Sequence, residues 1–366
     1  MGQPIKDQFK VSPNLVFFLI TSVQIGIGLL TFQSQIIEPA EQDAWMSVII
    51  AAIATHFILW LIYWMLNKEK SDVIDIHKKV FGKWVGNLFN TILIVYFFLL
   101  STTIVRMYIE IIQVWMFEEL NTWSLALVIY PLIFYVITGG FRTVTGICFF
   151  GLVIPYYLIL TLLSPLEFSH FHNLLPIFDH SIKDIFMSSR LAILSYLGFG
   201  TLLLFYPFIQ KPETSQKWAH LGLIHTTFIY LLNLMITLSY YSLDYLKDVI
   251  WPTLGMWKIV ELPFVERFEY IGIVSWFVVS LPNMCLTMWA ASRGLKRMAN
   301  YKQKHNIYLL AIISFMICLY LKDRTMIDKF STFISNTGLI LMYGYIPILC
   351  FFYLIRKKVN PRHEKS

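Results

Sequence analysis

The sequence predicts an all-α polytopic membrane protein of about ten transmembrane helices, arranged as a five-plus-five inverted repeat with helices 1 and 6 broken. Three observations predict it. The 366 residues are 57% hydrophobic and only 14% charged, with a mean hydropathy of +0.63, whereas a soluble domain carries about a quarter charged residues. Apolar runs of bilayer-spanning length recur along the whole chain. Two of them, the first and the sixth, are interrupted by the same Gly-x-Gly pattern.

The expected spans are 14–37, 45–66, 86–113, 122–139, 143–163, 186–209, 219–242, 268–293, 305–321 and 332–355. Residues 1–10 are polar, and no small-residue cleavage site follows the first run, so that run is expected to be a retained span. Segments on one side of the membrane carry 20 of the 29 Lys and Arg residues and the alternate set carries 8, with Arg106 inside a span. This excess places both termini in the cytoplasm. The net charge of +7 therefore reflects topology, and no nucleic acid partner is expected; membrane lipid is. One integral membrane domain fills residues 1–366. Residues 1–163 form the first repeat with its tail, 186–355 the second repeat, and 356–366 a cytoplasmic tail.

The stretch "SVQIGIGLLTF" at residues 22–32 puts Gly26 and Gly28 in the middle of span one. "GFGTLLLF" at residues 198–205 puts Gly198 and Gly200 at the matching place in span six. Each pair lies about twelve residues into its span. An odd number of spans per repeat turns the second half upside down, as inverted-repeat transporters require. A broken helix leaves N–H groups on one half and carbonyls on the other, suited to a carboxylate and to a cation respectively. Gly26, Ile27 and Gly28 with Gly198, Phe199 and Gly200 are thus expected to cradle a small zwitterionic or polar ligand. Close helix–helix packing is the plain alternative.

Other intramembrane polar residues extend this candidate site. Gln24 and Thr31 in span one, Tyr196 in span six, and Ser101 and Thr102 (beside Thr103) in span three are candidate contacts. So are Asn283 and Thr287 in span eight, with Ser280 and the carbonyl freed by Pro282. Each side chain is equally able to bond a neighbouring helix. Arg106 and Glu110, at i and i+4, share a face and are read as an ion pair, either a gate or a structural lock.

The remaining motifs point to no chemistry. His170, His172 and His180 lack a fourth ligand at zinc spacing, so no metal or cofactor is expected. His56 and His225 are read as packed bundle histidines. Cys148, Cys285, Cys318 and Cys350 lie in or beside apolar runs and suggest no disulfide framework. No nucleotide, hydrolase or metalloprotease motif occurs, and no acid, base and nucleophile converge, so no enzyme is expected. Residues 243–267, rich in aromatics including Trp251, Trp257, Leu262 and Phe264, are expected to lie on the outer face or in the interface belt. The cluster at residues 266–269 is expected to fasten that loop to span eight.

The chain as a whole resembles the amino acid–polyamine–organocation transporter superfamily, with its LeuT/APC-like fold. More narrowly it is similar to the B subunit of GerA-type spore germinant receptors. "GIGLLTF" (26–32), "GKWVG" (82–86), "GG" (139–140), "IWPT" (250–253), "ERFE" (266–269) and Arg106 with Glu110 carry the likeness, which covers residues 10–356. The resemblance implies a multi-pass subunit of the spore inner membrane that works with A and C subunits. It implies detection of a small-molecule nutrient, such as an amino acid, to trigger germination. Some superfamily members couple protons through a lysine in span five; residues 143–163 contain none. Sensing is therefore expected ahead of transport, with an amino acid permease and a scaffold without ligand as the alternatives.

Overall fold

A computed structural model describes residues 5–359 except 262, 264 and 300. Among the described residues the regular structure is almost entirely helical, with an isolated parallel bridge between Val11 and Ile209. In chain order the helices are α1 (Val16–Gln24), α2 (Gly28–Ala40), α3 (Ala44–Glu69), α4 (Val73–Trp115), α5 (Thr122–Thr138), α6 (Phe141–Val153) and α7 (Tyr157–Thr161). They continue as α8 (Ile182–Ser195), α9 (Leu202–Phe205), α10 (Gln216–Tyr240), α11 (Leu243–Asp248), α12 (Pro252–Trp257), α13 (Phe268–Ala299), α14 (Gln303–Tyr320), α15 (Arg324–Leu339) and α16 (Ile346–Val359).

Among the described residues, six helical stretches are long and apolar enough to cross a membrane alone, and α8 with residues 199–208 makes a seventh that is bent by 50°. The other expected spans fall on the helices at 13–24, 122–138 and 303–320.

Local chemistry explains several boundaries. Ser181 and Asp184 form a reciprocal capping box that starts α8. Pro252 occupies the first turn of α12, where its missing N–H costs nothing. α15 and α16 are joined through a π-helical turn, Ile340–Tyr345. α4 begins well before the expected span three, because residues 73–81 are already helical and turn at Gly82 (φ +79°).

Side-chain bonds define two faces. On the face of the termini, Arg297 reaches Asp72 (2.8 Å) and Asp75 (2.7 Å). There Arg356 also donates to the Val80 carbonyl (2.7 Å) and Arg142 to that of Gln8 (3.2 Å). The far face carries α11, α12 and the connection between α7 and α8. Here the structure differs from the sequence reading: Trp251 and Trp257 are buried in the bundle rather than laid along an interface. Trp257 packs on Gly272 and on Trp276, 5.7 Å between ring centroids. Leu262 and Phe264 lie outside the described residues. Arg267 pairs with buried Glu269 in the first turn of α13 (2.8 Å).

A buried carboxylate pins the end of the α7–α8 connection. Buried Asp43 accepts from the backbone N–H groups of Phe178 (2.9 Å), Asp179 (2.8 Å) and His180 (3.2 Å), and lies 3.2 Å from His180 Nδ1. His180 is thus spent on Asp43, while His170 and His172 face each other at a tilt, 5.7 Å between ring centroids. Asp43→Ala is expected to lower stability by about 1–3 kcal/mol, the cost of stranding buried donors. Thermal melting in detergent with limited proteolysis checks this: residues 164–181 should be cut faster, and unchanged melting and cutting would remove the pin from the account.

A candidate ligand site at two paired helix breaks

α1 ends at Gln24 and α2 starts at Gly28, so residues 25–27 form the first break. The Ile25 carbonyl accepts from Asn283 Nδ2 of α13 at 3.1 Å. Gly26 makes this approach possible, since a Cβ there would stand 2.9 Å from the same nitrogen. At the start of α2 the N–H groups of Leu29 and Leu30 turn back onto the Gly26 (3.1 Å) and Ile27 (3.0 Å) carbonyls of the break.

The second break runs through Tyr196, Leu197 and Gly198. Gly198 has φ +110° and ψ −32°, a conformation closed to side chains. A Cβ there would also lie 2.8 Å from the Val23 carbonyl oxygen. The second break is therefore in direct contact with the last turn of α1. Gly200 is packed against the Met342 thioether of the π turn, and Phe199 meets Tyr343 edge-on at 6.2 Å.

Two side chains tie the breaks together. The hydroxyl of Tyr230 on α10 lies 3.0 Å from the Gln24 carbonyl and 3.2 Å from the Ser195 carbonyl, so one donor is shared between the ends of α1 and α8. Gln24 Nε2 crosses to the Tyr196 carbonyl at 3.2 Å. Tyr196 stacks on Tyr230 (5.4 Å) and donates to Thr227 Oγ1 at 3.2 Å. The freed carbonyls of Gln24, Ile25, Ser195 and Tyr196 are thus met by Tyr230, Asn283 and Gln24. An unmet carbonyl in hydrocarbon costs several kcal/mol. Gln24 Oε1 and Ser280 Oγ remain buried with no hydrogen-bond partner.

The other expected contacts make bonds elsewhere. Thr31 lies 3.4 Å from the Gly28 carbonyl. Ser101 donates to Met284 O (2.9 Å), joining α4 to α13, and Thr102 meets Ser314 of α14 at 2.6 Å. Thr287 donates back to Asn283 O at 2.6 Å. The expected pairing of Arg106 with Glu110 is replaced by other partners. Arg106 donates to Leu321 O (2.7 Å) and Lys322 O (3.3 Å), the negative end of α14, while Glu110 lies 2.9 Å from Arg324 of α15. Tertiary partners outcompete the shared helix face.

Sequence reading passed over a second buried cluster. Thr253, at the start of α12, donates to Leu29 O (3.1 Å) and bonds Gln33 (2.8 Å) and Asn233 (3.0 Å). Gln33 also bonds Asn233 Oδ1 at 2.8 Å. All three side chains are buried. α12 thus reaches from the far face into the bundle and seals it one turn from the first break. A narrow cavity of about 40 Å³ lies between Ile25, Leu29, Asn233, Thr253, Trp257 and Trp276. Such a volume holds a water or two; a nutrient requires the breaks to part.

Broken helices within an apolar bundle define a protein of the transporter-fold class, and comparison with solved structures agrees. The fold matches Mhp1, a nucleobase-cation-symport-1 family transporter in a closed conformation with bromovinylhydantoin bound, with a TM-score of 0.70 over 97% of this chain and 81% of that one at 10% identity. It also matches a Na+-coupled sialic acid symporter in a substrate-bound outward-open state, with a TM-score of 0.67 over 95% and 82% at 12% identity. These likenesses establish a LeuT/APC-like fold.

Sequence comparison is more particular. Residues 10–327 match the spore permease family, described as spore germination protein. The spore germination protein GerQB of Bacillus cereus is 40% identical over 94% of this chain and 96% of its own length. The spore germination protein A2 of Bacillus subtilis (strain 168) is 22% identical over 93% and 94%. The chain belongs to this family, the B-subunit family of germinant receptors.

The geometry separates the glycines. Gly28→Ala adds a Cβ at an ordinary 3.5 Å from the Tyr230 hydroxyl, whereas Gly198→Ala combines forbidden φ with a 2.8 Å clash against backbone. Gly198→Ala is expected to cost about 2 kcal/mol or more and Gly28→Ala less than about 1 kcal/mol. Melting temperatures of the purified variants check the order, and equal losses would contradict it.

Proposed function

We propose that this chain senses a nutrient for a spore germinant receptor by binding a small zwitterionic or polar molecule, in the simplest case an amino acid, between the paired breaks. The observation that carries this reading is the set of freed carbonyls held by Tyr230, Gln24 and Asn283. A ligand ammonium can take over such carbonyls, and a ligand carboxylate can take the Leu29 and Leu30 N–H groups in exchange for their bonds to Gly26 O and Ile27 O. Gln24 Oε1 and Ser280 Oγ offer further polar contacts.

Binding would then favour an arrangement in which the breaks are apart. Its effect on the equilibrium equals the ligand's preference for that arrangement. The neighbours best placed to relay the change are the π turn, through Met342 and Tyr343, and α12, through Thr253. In this reading the chain works in the spore inner membrane with both termini cytoplasmic, beside A and C subunits that receive the signal. The transporter likeness gives a second reading, a permease for the same class of molecule; a scaffold without ligand is the third.

Thermal melting of the purified chain against amino acids, sugars and nucleosides tests this. A nutrient at a hundredfold excess over its Kd should stabilise the fold by about 2.7 kcal/mol. Gln24→Met, which keeps the volume and removes the amide, should abolish that shift. Accumulation of the nutrient by the lone chain in proteoliposomes would establish the permease. No shift with any compound, in a chain that melts cooperatively, would leave the scaffold.

A further inference from the structure

We infer that the pocket behind α11 and α12, on the face away from the termini, is a second ligand site, one that takes a small ring-bearing carboxylate. Its volume is about 690 Å³, far more than the cavity at the first break. Aromatic side chains build its walls: Trp115 and Trp251 meet edge-on at 6.4 Å, and Tyr241 and Tyr245 stack at 5.6 Å.

Those walls are held in place. The Tyr241 hydroxyl donates to Pro252 O at 3.2 Å. Trp251 is backed by the Arg324 guanidinium, 4.9 Å from its ring centroid, and Arg324 is itself held by Glu110. Flat, fixed aromatic faces with few rotamers favour a ring in the ligand.

The polar groups decide the charge. Lys258 places its ammonium 4.7 Å from the Trp115 ring centroid at the edge of the pocket. No carboxylate lines the pocket, and Lys258 has no ion pair among the described residues. The lining thus offers a cation with no acid to answer it. A carboxylate on a ring pairs with Lys258; a cation would be repelled, and a neutral ring would leave Lys258 unpaired.

This site is independent of the one at the breaks, yet it shares a wall with the closure above them. α12 follows directly from Trp251 on the pocket wall, and its Thr253 is bonded to Gln33, Asn233 and Leu29 O on the other side. A ligand in the pocket bears on the segment that must move before the breaks open outward.

Equilibrium binding of radiolabelled phenylacetate to the purified full chain tests the inference. Saturable binding is expected, with acetate and 2-phenylethanol at least tenfold weaker as competitors. Lys258→Gln and Tyr245→Ala should each weaken it at least tenfold, and Lys258→Arg should keep it. Tyr245 is 60% exposed and Lys258 is also exposed, so these variants keep the fold, which unchanged melting verifies. Gln24→Met should leave phenylacetate binding intact, which separates this site from the breaks. Absence of saturable binding, or binding indifferent to Lys258→Gln, would overturn the inference.

Discussion

The hydroxyl of Tyr230, 3.0 Å from the carbonyl of Gln24 and 3.2 Å from that of Ser195, is the interaction on which the centre of this bundle depends. Hydrocarbon supplies no water for a carbonyl released from a helix, so every break must bring its own donors. Here a single side chain on α10 serves the ends of both broken helices. Gln24 adds a second link by reaching from one break to the other, and Asn283 closes the carbonyl of Ile25. The breaks are therefore one polar unit within an apolar core. A molecule that supplies better partners to one of them changes the bonding of both.

The surrounding elements are arranged about that unit. Gly198 has its positive φ where the second break turns directly onto the backbone of Val23. The π turn between α15 and α16 packs Met342 and Tyr343 on residues 199 and 200. π turns inside helices frequently mark functional sites, and this one touches the second break where a change in its shape would be felt. On the far face, Thr253 ties α12 to Gln33, Asn233 and a carbonyl of α2. Opening the site from that side requires breaking this buried network, in which Thr253, Gln33 and Asn233 bond one another, a costly and cooperative event.

Much of the fold was legible in the sequence because membrane spans advertise themselves by length and apolarity, and the broken helices by glycine pairs where none is needed. Asn283 was legible too, as a polar residue beside Pro282 in an apolar run. Tyr230 was not, since one tyrosine among 20 carries no mark of the carbonyls it will meet. The i,i+4 spacing of Arg106 and Glu110 correctly placed them on one face but could not foresee Arg324 and the end of α14 as stronger partners. The burial of Trp251 and Trp257 within residues 243–267 was hidden for a related reason. Aromatic segments have the same composition whether they rest at an interface or insert into a bundle, and only the partners of Thr253 and Trp257 decide which.

The most direct test of the coupled breaks is hydrogen–deuterium exchange in the wild type and in Tyr230→Phe, followed over residues 22–30 and 194–202. The variant removes one hydroxyl and keeps the ring that stacks on Tyr196. Faster exchange in both segments, by a similar factor, is the expected result, because the lost donor served both carbonyls. Faster exchange in one segment alone, or in neither, would contradict the account and leave two separate breaks that happen to lie side by side.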